Sequence, residues 1–291
     1  MKHAIFGAGA IGGLVGTALG SIGEDVSVVV RPEKLASYPA TLTLERPTGT
    51  ITSRAKAVAS LTESVDVLWI ATKTYQLVKA LESVKVSPGC VVPLLNGVEH
   101  VAVLRSRFGN DRVVPGTIAV EAERIAAGQF IQRSPFVRLN LAASGRPLLS
   151  SIIEQLGRLG FTCEFMENEQ TLLWSKLTFL APFALVTSAS GLNVGEILAS
   201  PEWKQKLDSS IVEACAVAKA SGAELDLEQV RAAFDAVPAT MRSSMQKDLL
   251  AGRELELDAI GGPIVRGGEL HAIDVATTAE LMAAIRVKAS H

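Results

Sequence analysis

A doubly wound, mostly parallel α/β sheet followed by an all-helical half is the fold class that this 291-residue sequence predicts. Three observations predict it. Residues 2–31 read as strand, glycine turn, helix and strand in immediate succession. Two continuous apolar runs, 65–71 and 90–95, suit strands buried on both faces of a parallel sheet, and helical spacing follows each. From residue 168 onward no convincing strand pattern recurs, and one helical stretch follows another. The boundary therefore falls near residue 167, with one half spanning 1–167 and the other 168–291.

Taken in order, the first unit is the most informative. The run 4–6 meets Gly7-Ala8-Gly9-Ala10-Ile11-Gly12, then an apolar helical pattern, then the run 26–30. Gly7 permits the tight turn, Gly9 lets a pyrophosphate approach the backbone, and Gly12 allows helix and strand to touch. The free N–H groups at the helix start face the anion. Flanked by strands at the correct unit length, this spacing marks a Rossmann-type dinucleotide site. The second strand ends in Arg31, where an NAD site commonly places Asp or Glu to hold the ribose hydroxyls. A guanidinium there can pair with a 2′-phosphate through its fork of donors, so NADP(H) is expected over NAD(H), although Glu33 lies close by. Residues 41–45 and 50–54 alternate around Arg46-Pro47-Thr48-Gly49, a hairpin pattern. After the strand at 65–71 come Lys73 and Gln76 and helical spacing over 75–84. The strand at 90–95 ends in Asn96-Gly97, and a helix runs to about Phe108. Residues 112–126 and 130–141 read as an antiparallel pair around Ala127-Gly128, 147–159 as an amphipathic helix, and 161–166 as a last strand. Helices are expected over 170–190, 201–221, 226–234, 243–252 and 277–288.

Composition narrows the function. With 28 basic against 30 acidic side chains and a net charge of −2, no basic excess exists to neutralise a nucleic acid or an anionic membrane. Hydrophobic residues at 48% suffice for two cores. Cys90, Cys163 and Cys215 lack C-x-x-C spacing and read as three buried thiols of a cytoplasmic, reducing compartment. His3, His100, His271 and His291 form no ligand cluster, so no metal site is expected. Lys2 followed by apolar residues is reminiscent of a signal peptide, but the glycine spacing fits a nucleotide turn better. The uncharged stretch 177–195 approaches membrane-spanning length, yet its Pro182, Thr187, Ser188, Ser190, Gly191 and Asn193 suit a buried helix running into a loop. The expected partner is a small molecule. The helical half could pair two chains into a homodimer, and nothing in the sequence marks the face.

Ligands of open α/β sheets bind beyond the carboxyl ends of the strands. Lys73 and Asn96 stand there, the first able to meet a phosphate or carboxylate, the second a ribose or substrate oxygen. As a solvated lysine and a turn residue they would do neither. In the helical half, Lys176 heads the uncharged stretch, and burying an ammonium costs several kcal/mol unless it is paired. Glu256 could pair with it and with a substrate hydroxyl; alone it would read as an exposed helix acid. Ser244, at a helix start, could be a cap.

With these residues in hand, the chain resembles the ketopantoate reductases (2-dehydropantoate 2-reductases) of the wider 6-phosphogluconate dehydrogenase-like group. The likeness runs through most of the chain and rests on the Gly7–Gly12 turn, Arg31, Lys73 with Gln76, Asn96-Gly97, Gly116-Thr117, Lys176, Ser243-Ser244-Met245, Glu256 with Asp258, and the glycine-rich residues 261–268. The resemblance implies that NADPH delivers hydride to the ketone carbon of a 2-oxo acid and that Lys176 is the general acid. It implies that Asn96 and Ser244 hold substrate, that Glu256 fixes the lysine and reaches hydroxyls of substrate or cofactor, and that Ala122 lies against the cofactor. The chain also departs from the family. Leu180 and Ala184, on the helix face of Lys176, replace asparagines; Val194 stands in an Asn-Gly-Glu turn with Asn193 one residue early; and Gly261 replaces another asparagine. Ketopantoate, with its hydroxyl, would miss those amides, whereas an alkyl or aryl 2-oxo acid would not. The leading expectation is reduction of 2-dehydropantoate. Its alternatives are a family reductase or dehydrogenase of a more apolar 2-oxo or 2-hydroxy acid, and a catalytically silent NADP-binding protein.

Overall fold

The structure, a computed structural model, describes residues 1–290. His291 lies outside the described residues. The chain divides into two compact units, Met1–Leu95 with His100–Glu167, and Asn96–Glu99 with the residues from Asn168 onward. The short segment Asn96–Glu99, which chain order would assign to the α/β half, thus groups with the helices.

In the first unit, β1 (Lys2–Phe6), β2 (Asp25–Val29), β5 (Lys56–Val58), β6 (Val67–Ile70) and β7 (Cys90–Pro93) form one parallel sheet in the order β5-β2-β1-β6-β7. The order in which successive strands are added reverses between β1 and β6, which is the switch point where such sheets leave a crevice at their carboxyl ends. Both strands are apolar on each face, as their burial requires: Ala4, Ile5 and all of Val67–Ile70 are enclosed. Two polar groups in this core are paired. The Trp69 indole donates to His3 Nδ1 at 3.0 Å, which leaves Nε2 to carry the hydrogen toward Glu24 Oε2 at 3.2 Å. Burial holds the His3 pKa below its ordinary value against the pull of Glu24. His3 is a satisfied core residue.

The hairpin of β3 (Thr41–Arg46) and β4 (Gly49–Arg54) forms as its alternation predicts. The extended residues after 112 form two antiparallel pairs rather than one. β9 (Ala122–Ala126) pairs with β10 (Gln129–Gln132), and β10 joins β3 in parallel to make a second sheet, β4-β3-β10-β9. β8 (Gly116–Ala119) pairs with β11 (Val137–Ala142), which lies parallel to β12 (Phe161–Met166) in a third sheet. Helix α1 (Ala10–Ser21) packs against the second sheet, where Gly13 meets the Phe130 ring so closely that a Cβ would fall 2.0 Å from it. The unit also carries α2 (Pro32–Leu35), α3 (Leu77–Leu81), α4 (His100–Phe108) and α5 (Arg146–Arg158). Cys163 is only half-buried, unlike Cys90 and Cys215.

The second unit is built on α6 (Glu169–Ser190), with α7 (Val194–Ala199), α8 (Pro201–Ala220), α9 (Leu227–Asp235), α10 (Ser244–Leu250), α11 (Leu257–His271) and α12 (Ala276–Ala289). Among the described residues α6 alone is long and apolar enough to cross a membrane. Fourteen of its 22 residues are buried, and α8, α10, α11 and α12 pack around it, so it is the core helix of this unit. Neither α7 nor α11 is expected from the sequence. The first starts with a capping box, Asn193 accepting from Glu196 N and Glu196 from Asn193 N. The second persists through Gly261, Gly262, Pro263, Gly267 and Gly268 because its glycines are contact points. A Cβ on Gly261 would lie 2.5 Å from Met282 Sδ of α12, and one on Gly267 2.3 Å from Val217 Cγ1 of α8. Close packing there outweighs low helix propensity.

Candidate active site

Two constellations stand out, one in each unit. In the first, β1 ends in the glycine turn at the switch point. Gly7 adopts φ +103°, and a Cβ on it would lie 2.7 Å from Ala71 C and Thr72 N at the end of β6. Gly12 is pressed against the turn itself, its would-be Cβ 2.1 Å from Gly7 O and 2.9 Å from Ile5 Cγ2. Gly9 differs: a Cβ there would meet nothing within 4 Å. Tight packing at the first and third glycines and open space at the second is the arrangement that admits a pyrophosphate to the backbone. No acidic side chain occupies the first turn of α1 and no side chain caps it, so its positive end is left for an anion. The residues present fit a dinucleotide.

Arg31 follows β2 and caps α2 through its backbone, its side chain 79% exposed and 3.7 Å from Glu33 Oε1. That exposure leaves its donors available to a phosphate. Lys73 is half-buried at the start of the 3-10 turn Thr74–Gln76, just beyond β6. Ala122 opens β9 and is half-buried. Two residues on, Arg124 Nη1 donates to Ala8 O of the glycine turn at 3.4 Å. A single arginine on an alternating edge strand gives no sign of this in the sequence.

In the second unit, Lys176, Asn96 and Glu256 come together. Lys176 Nζ donates to Asn96 Oδ1 at 3.0 Å, and Asn96 Nδ2 donates to Glu256 Oε2 at 3.1 Å. An ammonium only donates and a carboxylate only accepts, so the two partners dictate which way the amide points. Glu256, expected as the lysine's partner, is 6% exposed at the N-cap of α11 and is no exposed helix acid. Burial pushes the Lys176 pKa down to about 8, while the Glu256 carboxylate pulls it up. The amine is still mostly protonated at neutral pH, yet close enough to its pKa to give up a proton.

The remaining expected residues are placed as follows. Ser243, not Ser244, caps α10, its hydroxyl accepting from Gln246 N at 3.1 Å and sharing a hydrogen bond with Thr187 Oγ1 at 2.7 Å. Ser244 is the first residue of that helix and is exposed. Ala184 is fully enclosed in the helical core, so of the two apolar replacements on the Lys176 face only Leu180 retains exposed surface. Asn193 is spent on the cap of α7, and Val194 is buried.

The glycine turn suits a dinucleotide and the lysine beside Asn96 and Glu256 suits a proton transfer, the two needs of a nucleotide-dependent oxidoreductase. Profiles of two successive family regions match: "Ketopantoate reductase PanE/ApbA" over residues 3–144 and "Ketopantoate reductase PanE/ApbA C terminal" over residues 168–289. The chain is 31% identical to a 2-dehydropantoate 2-reductase of Caulobacter vibrioides, over 98% of both chains. It therefore belongs to the ketopantoate reductase family. Among solved structures, a PanE/ApbA family ketopantoate reductase from Ralstonia eutropha superposes with a TM-score of 0.87 at 24% identity, covering 100% of this chain and 99% of that one. D-mandelate dehydrogenase in a ternary structure with NADH and anilino(oxo)acetate gives the same TM-score at 21% identity, again over 100% and 99%. Both likenesses concern the fold.

Proposed function

We propose that the protein reduces a 2-oxo acid with NADPH, 2-dehydropantoate being the leading substrate. The observation that carries the reading is the Lys176 ammonium, held by Asn96 and drawn toward its charged form by buried Glu256. The first unit would hold the cofactor through the Gly7–Gly12 turn, with Arg31 and Lys73 on its phosphates and Ala122 beside it. Arg31 favours NADP(H) because its fork of donors suits a 2′-phosphate better than two ribose hydroxyls. When bound, the nicotinamide supplies a hydride to the ketone carbon. Lys176 gives the proton from Nζ to the oxygen of that carbonyl as it becomes an alkoxide, and takes another from water afterwards. Its charge favours the developing anion throughout. Asn96 orients the amine, Glu256 keeps it charged, and Asn96 and Ser244 hold the substrate.

A second reading, the same chemistry on an alkyl or aryl 2-oxo acid, is favoured by Leu180, which sets a half-buried apolar side chain one turn from the lysine. D-mandelate dehydrogenase, an enzyme named for an aryl 2-hydroxy acid, shares this fold, which is compatible with the second reading. A screen of 2-oxo acids with NADPH and NADH, followed at the cofactor's absorbance, tests both. Turnover of 2-dehydropantoate well above that of apolar acids supports the first reading, the reverse supports the second, and no turnover of any 2-oxo acid defeats both.

A further inference from the structure

The residues that place Asn96 are themselves organised around one side chain, Arg266 of α11. Its Nε and Nη2 meet Glu99 Oε1 and Oε2 at 2.7 and 2.6 Å, a bidentate pair. Its Nη1 reaches Asp258 Oδ1 at 2.9 Å, and its Nη2 reaches Asp258 Oδ2 at 3.4 Å. Glu99 stands three residues after Asn96, and Asp258 two residues after Glu256. One guanidinium thus joins the two chain segments whose side chains flank the lysine.

Two further features are fitted to this clamp. The guanidinium lies over Gly262 of the same helix, where a Cβ would sit 2.3 Å from Nη2. Any larger residue at 262 would displace it. Gly97, at φ +82°, sits against Ala259 O of α11, its would-be Cβ 2.3 Å from that oxygen. That carbonyl has no helical donor four residues on, because position 263 is proline. Val98 packs against the helical core. The segment 96–99 is therefore seated by Gly97 and Val98 and fastened at its end by Glu99.

We propose that Arg266 is a positioning residue: by tying Glu99 to Asp258 it holds Asn96 in the orientation that links Lys176 to Glu256. It acts on the proton donor only through Asn96. The inference rests on the reductase reading for its kinetic consequences and on geometry alone for its effect on the lysine.

A double-mutant cycle of R266A with N96A tests it. Arg266 and Glu99 are about half exposed, so with the 2-oxo acid that the wild type reduces best R266A should lower kcat about three- to fivefold, the scale of an exposed ion pair, and E99Q should do the same. In the N96A background R266A should change kcat by less than about twofold, since the group it acts through is gone. R266K, which keeps the charge and loses the fork, should fall between R266A and wild type. A loss of equal size in both backgrounds would reveal a general structural role and overturn the proposal, as would wild-type kcat in R266A. Should R266A not fold, E99Q alone and with N96A completes the cycle. A second readout needs no substrate: the pH midpoint at which Lys176 is acetylated in competitive labelling. It should drop in N96A, drop by the same amount in R266A, and drop no further in the double variant. An unchanged midpoint in R266A overturns the proposal even where the reductase reading holds. The expected shift in a protein that turned over no 2-oxo acid would support the clamp while the reductase reading fell.

Discussion

Replacing Glu256 by Gln removes a charge and keeps a shape, and its effect on the pH profile can be worked from the structure. The Lys176 pKa stands at about 8, the outcome of burial lowering it and Glu256 raising it. The two charges communicate through Asn96 across hydrogen bonds of 3.0 and 3.1 Å. At a separation on the order of 6 Å and an effective dielectric of about 20, the attraction is about 3 kcal/mol, or about two pKa units. A larger effective dielectric, about 40, would bring this to about one unit. In E256Q burial is left nearly unopposed, so the midpoint should fall from about 8 to about 6–7. A general acid must be protonated to act, so kcat/KM for reduction falls as pH rises through this value. The assay is initial-rate consumption of NADPH from pH 5.5 to 9.5. The alkaline limb of the wild type should lie near pH 8 and that of E256Q about one to two units lower, with much of the lost rate recovered at pH 5.5. Contacts from Glu256 to substrate would scale the whole curve and leave the limb in place. A limb that stays near pH 8, or moves upward, would refute the coupling.

Three other outcomes follow from single positions. Arg31→Ala should weaken NADPH binding about ten- to hundredfold and leave NADH binding within about twofold, as isothermal titration can read; equal losses for both would remove Arg31 from the 2′-phosphate. Gly7→Ala forces a Cβ to 2.7 Å from the backbone of Ala71 and Thr72 at φ +103°, and should lower the unfolding free energy by about 2 kcal/mol or more in denaturant titration. Gly97→Ala puts a Cβ 2.3 Å from Ala259 O, displacing Asn96, so kcat should fall about tenfold or more; unchanged kcat would mean that the segment tolerates the shift.

Much of this was legible in the sequence where a local period or spacing carries the signal. The apolar runs of β6 and β7, the alternation of β3 and β4, and the glycine turn needed no partner to be recognised. Strand pairing was less legible: nothing local says that β10 joins β3 in parallel while β11 lies between β8 and β12, because alternation defines a buried face and not the neighbour across it. Helix α11 was hidden by residues that elsewhere break helices; Gly261 and Gly267 are explained only by α12 and α8, which lie against them. For the candidate site, an ammonium at the head of an uncharged stretch demanded a partner, so Lys176 stood out. Glu256 was foreseen as its partner, but the amide between them was not, since Asn96 lies 80 residues from Lys176 and 160 from Glu256. The same distance in sequence concealed Arg266, whose pairing with Glu99 spans 167 residues.

The proton donor is the claim on which the rest of the chemistry stands, and removing its amine tests it most directly. Single-turnover reduction of 2-dehydropantoate by NADPH should slow at least about a hundredfold in Lys176→Ala, with the NADPH dissociation constant within about twofold of wild type. Hydride transfer at the wild-type rate in that variant would contradict the assignment of the proton to Lys176.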